Sequence, residues 1–145
     1  MSNNPKKILF IINPISGVES KQHIPRLAAR HLDSERFHYE ITYTQYRNHA
    51  FEIAQHAALH RGFDAVIAVG GDGSINEVGS ALVGTEVALG IIALGSGNGL
   101  ARKMGLYTSN VVEAMKVINK FHIDHIDVGK LNDKYFFSTA GVGVE

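Results

Sequence analysis

The stretch Ala65-Val66-Ile67-Ala68-Val69-Gly70-Gly71-Asp72-Gly73-Ser74-Ile75-Asn76-Glu77-Val78 decides the fold. Its first five residues are apolar without alternation, the pattern of a strand covered on both faces. Three glycines, a carboxylate and a hydroxyl follow within five residues, and Ile75, Val78, Gly79 and Leu82 then recur at helical spacing. A buried strand that turns through glycine straight into a helix is the unit from which parallel α/β sheets are built.

Working outward, a second unit of the same kind runs from a strand at Ala88 to Ala93 through a glycine loop at Gly95 to Gly99 into a short helix ending near Met104. Upstream, Lys7 to Ile12 reads as a buried strand closed by Asn13-Pro14, and Lys21 to His31 as a helix that tolerates Pro25 only if it starts close to it. His38 to Thr44 alternates like a half-buried strand. Asn48 to Arg61 places Ala50, Ile53, Ala54 and Ala57 on one helical face and stops at Gly62. Downstream, Ser109 reads as the N-cap of a helix to Asn119, and His122 to Val128 and Lys134 to Thr139 as two strands. The order β-α-β-α-β-α-β-α-α-β-β predicts an α/β protein, a three-layer sandwich around a largely parallel sheet. Ligands in such sheets sit beyond the carboxyl ends of the strands, here at Asn13-Pro14, Thr44, Gly70 to Gly73 and Leu94 to Asn98.

Composition narrows the function. The 145 residues, 45% hydrophobic and 19% charged, suit one globular domain. Lys+Arg 14 against Asp+Glu 14 leaves no global basic field for nucleic acid or an anionic membrane. The absence of cysteine removes disulfides, thiolate-bound zinc and thiol catalysis together. The apolar run Ile8-Leu9-Phe10-Ile11-Ile12 is far below the roughly 18 residues of a membrane span and too short for a secretory signal, so a cytoplasmic protein is expected. Ten of the 15 glycines lie between Gly70 and Gly105, which points to local geometry rather than flexible linkers.

The loop Gly70-Gly71-Asp72-Gly73-Ser74 has the composition of an anion cradle. Glycine lets backbone N–H groups approach phosphate, and the following helix points its positive end at the same place. Asp72 beside a polyanion calls for a cation, and Mg²⁺ is its natural partner; the alternative reading is a tight turn in which Asp72 caps the helix. The loop is not a Walker A motif, which needs Gly-Lys-Ser/Thr, nor the dinucleotide fingerprint, because Asn76 stands at the third glycine. Gly95-Ser96-Gly97-Asn98-Gly99 forms a second cradle, with Arg102 and Lys103 one turn on, where they serve either the phosphates or a solvated helix face. Two cradles on successive core strands suggest one shared phosphate chain.

In order and spacing, Asn13-Pro14-x-Ser16-Gly17, Gly70-Gly71-Asp72-Gly73-Ser74-x-Asn76-Glu77-Val78 and Leu94-Gly95-Ser96-Gly97-Asn98 with Ala101-Arg102 resemble the catalytic domain of the diacylglycerol kinase and sphingosine kinase family of lipid kinases. The match covers nearly the whole chain, and the Gly-Gly-Asp-Gly loop is shared with NAD kinases and phosphofructokinases. The resemblance implies ATP-dependent phosphorylation of a lipid hydroxyl, of diacylglycerol or a related lipid. Asn13, Ser16 and Thr44 would line the nucleotide cleft, Gly71 to Glu77 would hold phosphates, and Ser96 would touch the nucleotide. Asp72 would organise Mg²⁺ and water, and Asp127 resembles a further acidic position near the catalytic centre. Loops and resemblance together give an expected nucleotide-binding set of Asn13, Ser16, Gly17, Thr44, Gly70, Gly71, Gly73, Ser74, Asn76, Glu77, Gly95, Ser96, Gly97, Asn98 and Arg102.

Ser74 and Ser96 stand where the family usually has threonine, keeping the hydroxyl, and Gly99 replaces an acidic or polar residue. Family members continue about as long again into a β-rich domain that supplies the catalytic base in an Asp-Gly motif and part of the lipid site. This chain stops near where that domain would begin. Residues 1–145 are therefore expected to be the ATP-binding domain, to bind Mg·ATP or Mg·ADP, and to have little kinase activity alone. Two alternatives stand beside this: a kinase of the same superfamily with a soluble acceptor such as NAD, and a non-catalytic nucleotide-binding module. The expected partners are ATP and a lipid acceptor, with no nucleic acid. No lipidation signal or basic amphipathic helix occurs, so peripheral membrane contact is expected only of the full-length protein, and a homodimer is compatible with the sequence. His49, His56 and His60 share one side of the helical wheel, where histidine ordinarily forms a solvated border rather than a zinc stripe.

Overall fold

The computed structural model describes residues 4–14, 18–94, 99–125 and 140–142. In chain order the elements are β1 (Lys6–Ile12), α1 (Val18–His31), β2 (Phe37–Tyr43), α2 (His49–His60), β3 (Ala65–Gly70), α3 (Asp72–Leu82), β4 (Ala88–Ala93), α4 (Gly99–Lys103), α5 (Val111–Lys120), β5 (Ile123–His125) and β6 (Ala140–Val142). The strands form one sheet in the order β2-β1-β3-β4-β6-β5. All neighbours are parallel except β5, which runs antiparallel to β6 at the edge. The expected α/β sandwich around a largely parallel sheet is the observed fold.

The alternation of side chains along each strand divides the core into two layers. Leu9, Ile11, Val66, Ala68, Leu89 and Ile91 face α2, α3 and α4. Ile8, Phe10, Ile12, Ala65, Ile67, Val69 and Ile92 face α1 and α5 through Ile24, Ala28, Leu32, Met115 and Ile118. Every residue of β3 is buried, as its unbroken apolar run requires. Gly90 lies opposite Ile67 across the β3–β4 ladder, and a Cβ there would collide with Cδ1 of Ile67. Glycine at this position therefore lets the two central strands carry a full isoleucine between them.

Three local readings are corrected. Helix α1 starts at Val18, so Pro25 sits inside it rather than in its first turn. A mid-helix proline costs about 3 kcal/mol. Fully burying a residue such as Ile24 or Leu32 returns roughly 1.5–3 kcal/mol, so the apolar stripe outweighs the broken hydrogen bond. The N-cap of α5 is Asn110 rather than Ser109: its side chain accepts the N–H of Glu113 at 2.8 Å, while the Ser109 hydroxyl sits against the Asn110 amide. The last strand described is Ala140–Val142; Lys134 to Thr139 and residues 126–128 lie outside the described residues. Finally, the first glycine loop is shorter than read, since Gly70 ends β3 and Gly73 is already helical. By contrast, α2 ends as expected, with Gly62 at φ +67 just past its C-cap.

The connections place the site. Helix α1 covers one face and α2 and α3 the other, so the chain changes face between β1 and β3. The carboxyl ends of those strands splay around a crevice there. Backbone bonds hold the strand ends side by side: Asn13 N–H to Val69 O at 3.1 Å, Thr44 N–H to Ile12 O at 2.9 Å and Leu94 N–H to Gly70 O at 2.9 Å.

Candidate functional site

At that crevice lies a cleft of about 590 Å³ lined by Asn13, Pro14, Thr44, Gln45, Tyr46, Arg47, Gly73, Ser74 and Glu77. Its size is that of a small-molecule site. A more open groove of about 760 Å³ lies between Lys6, Arg36, Lys120, Phe121 and Ile123. That groove is at the amino end of β1, roughly 20 Å along the strand from Asn13, where parallel sheets do not place their ligands. The smaller cleft is the candidate.

Its floor is the start of α3. The N-cap residue Gly71 offers no side chain, so the first N–H groups of the helix have no side-chain cap; the first helical bond runs from Ile75 N–H to Gly71 O at 3.1 Å. Neither Gly71 nor Gly73 has a positive φ, and a Cβ added at either would meet nothing within 4 Å among the described residues. Neither backbone shape nor packing asks for glycine at these two positions. What remains is room beside exposed N–H groups, at the positive end of a helix dipole.

Around this floor, Ser74 is buried at the cleft wall, and Glu77 Oε2 accepts the N–H of Asn48 at 3.2 Å, tying α3 to the loop after β2. Asn76 Oδ1 accepts the Ser80 hydroxyl at 3.4 Å along the helix. Asp72 is the first residue of α3. Its Oδ1 accepts the N–H of Leu100 at 3.2 Å, so it reaches across to the first turn of α4 instead of capping its own helix. The structure thus brings Asn13, Thr44, Gly73, Ser74 and Glu77 around one cavity, with Gly70, Gly71 and Asp72 beside it. Arg102 is placed elsewhere: its guanidinium lies 3.8 Å from the ring centroid of Tyr107, in a separate depression with Thr108 and Glu113. Ser16, Gly17, Gly95, Ser96, Gly97, Asn98 and Asp127 lie outside the described residues.

Sequence reading missed Gln45, Tyr46 and Arg47 as cleft residues. Their signal was position alone, since they continue the strand-end turn that begins at Thr44. Of the three histidines on α2, His49 stacks on Tyr46, while His56 and His60 pair with each other at 5.1 Å between ring centroids. Among the described residues no group of three or more metal-ligating side chains comes together, and no helix is long and apolar enough to cross a membrane.

The family model for the diacylglycerol kinase catalytic domain matches residues 7–131. The diacylglycerol kinase of Bacillus subtilis (strain 168) is 36% identical over 141 residues, covering 95% of this chain and 46% of its own length. That of Staphylococcus haemolyticus is 36% identical over 138 residues, covering 92% and 41%. A crystal structure of a diacylglycerol kinase from Bacillus anthracis superposes with a TM-score of 0.68 at 29% identity, over 83% of this chain and 44% of that one. The chain therefore spans less than half the length of the curated relatives it matches. With the family model covering most of the chain, the protein belongs to the diacylglycerol kinase catalytic domain family.

Proposed function

We propose that this chain is the ATP-binding part of a Mg²⁺-dependent lipid kinase, which moves the γ-phosphate of ATP to the hydroxyl of diacylglycerol or a related lipid. One observation carries the reading: among the described residues, Gly71 and Gly73 leave open space over a start of α3 that has no side-chain cap, and nothing there requires glycine. A polyphosphate fills such a cradle without steric cost, and phosphoryl transfer asks mainly for positioning and charge neutralisation. In this reading Gly71, Gly73 and Ser74 bind phosphate, Asn13 and Thr44 orient the nucleotide, and Glu77 holds the loop after β2 against α3. Ser16, Gly17 and Gly95 to Asn98 extend the contact set, and Asp127 adds a second carboxylate.

The residues present suit Mg²⁺, which binds one or two carboxylates and completes its shell with phosphate oxygens and water. Asp72 Oδ1 is engaged by Leu100, and its Oδ2 has no hydrogen-bond partner among the described residues. When bound, the ion neutralises phosphate charge; Asp72 is the residue that would hold it, directly or through water.

Thermal unfolding with and without Mg·ATP tests the nucleotide site. Ligand at about 100 times its dissociation constant stabilises by roughly 2.7 kcal/mol, a shift of roughly 6–10 °C at this size. An unchanged midpoint at millimolar Mg·ATP rejects the site. Assay of a protein spanning the full length of the relatives, with labelled ATP and either diacylglycerol or soluble acceptors, tests the acceptor. Phosphorylation of a soluble acceptor alone rejects the lipid reading.

A further inference from the structure

The loop after β2 carries an aromatic side chain that the phosphate cradle leaves unused. Tyr46 borders the cleft, is 55% exposed and belongs to neither core layer. An exposed tyrosine ordinarily moves among rotamers, but this one is held. Its ring lies on the imidazole of His49, with centroids 4.2 Å apart and planes 14° from parallel. Its hydroxyl donates to Glu52 Oε1 at 2.6 Å. His49 is itself fixed, with Nδ1 accepting the Gln45 backbone N–H at 2.9 Å and its backbone N–H donating to the Tyr46 carbonyl at 3.1 Å. The loop closes at Asn48, whose left-handed backbone (φ 71) presents its N–H to Glu77. Side chains of α2 and α3 thus immobilise a solvent-facing ring that adds nothing to the core.

We infer that the Tyr46 ring is a stacking platform for the base of a purine nucleoside triphosphate whose phosphates lie at Gly73 and Ser74. This rests on the reading of the cleft as the ATP site and adds the recognition of its base. The same cleft is lined by Gly73 and Ser74 of α3 and by Tyr46 of this loop. A ring already held by His49 and Glu52 loses little further freedom when a base settles on it. Because the Tyr46 hydroxyl is committed to Glu52, the platform selects by stacking area, favouring purines over pyrimidines, and reads no base edge.

The test is calorimetric titration of Mg·ATP, Mg·CTP and magnesium tripolyphosphate into the wild type, Y46F, Y46L and Y46A. The wild type is expected to bind ATP more tightly than CTP. Y46L and Y46A should weaken ATP about tenfold and leave tripolyphosphate within twofold, while Y46F, which keeps the ring, stays near wild type. Y46L keeps the bulk without the π face, so it decides the question if Y46A fails to fold. ATP binding within twofold of wild type in Y46L overturns the platform and leaves the phosphate cradle standing. Equal loss of ATP and tripolyphosphate overturns it too, by making Tyr46 a support for the loop. A wild type that binds neither ligand overturns the ATP site itself, and the platform with it.

Discussion

Asp72 Oδ1 accepts the backbone N–H of Leu100 at 3.2 Å, so the first residue of α3 secures the first turn of α4. The helices that follow the two central strands are fastened together at the rim of the cleft by one carboxylate. That gives Asp72 a structural duty separable from any part in holding a cation. Asp72→Ala should lower stability by about 1 kcal/mol, the usual cost of a lost capping acceptor. Asp72→Asn keeps an oxygen that can accept the same N–H, so it should lose less than half as much. Both should lose Mg²⁺-dependent stabilisation by ATP, because neither carries charge. Urea unfolding with and without Mg·ATP measures both effects, and equal destabilisation of the two variants would show that charge, not the capping bond, is what α4 needs.

Gly73 separates ligand from fold in the opposite direction. It sits in the first turn of α3 with open space where a Cβ would stand. Gly73→Ala should therefore raise stability, by up to about 1 kcal/mol, through the ordinary helix preference for alanine. The same methyl enters the cleft and should weaken Mg·ATP at least several-fold. An alanine variant that is more stable and binds ATP as the wild type does would place the phosphates elsewhere.

The Tyr46 phenol is held above its ordinary value of 10.0, first by its hydrogen bond to Glu52, then by partial desolvation and by the negative charge of the same carboxylate. Raising the pKa of a neutral acid means that the folded state favours the protonated form. The associated stability is complete below pH 10 and is lost as the pH climbs through the folded-state value. A phenolate absorbance titration of wild type minus Y46F should show a midpoint above 10, and E52Q should bring it down. A midpoint at or below 10 would mean that the Tyr46–Glu52 bond does not persist in solution.

Much of the fold was legible because its signals are local and strong. The unbroken apolar runs of β3 and β4 demand burial on both faces, and Ile75, Val78 and Leu82 can only be a helix face. What escaped depended on partners distant in sequence. Pro25 reads as a helix start, and only the packing of Ile24, Ala28 and Leu32 on the sheet carries the helix through it. Ser109 and Asn110 are both good caps, and the choice between them turned on where α5 settles on its core face. In the site, Asn13, Thr44 and the Gly-Gly-Asp-Gly turn were visible as strand-end loops. The Leu100 bond of Asp72 and the clasp of Tyr46 by His49 and Glu52 were not, since hydroxyl, imidazole and carboxylate spaced along a loop and a helix have no periodic signature.

The position of β6 bears on the order in which the chain assembles. Strands β2, β1, β3 and β4 lie together within the first 93 residues and can complete a parallel sheet as soon as those residues are available. Strand β5 cannot follow in sequence order, because among the described residues it pairs only with β6, which comes later in the chain and lies between β4 and β5. Until Ala140–Val142 arrives, the edge of β4 that pairs with β6 is an open sheet margin among the described strands, with unpaired backbone groups able to capture another strand. The four strands of the first 93 residues can therefore close on one another while one margin of the sheet is still adhesive.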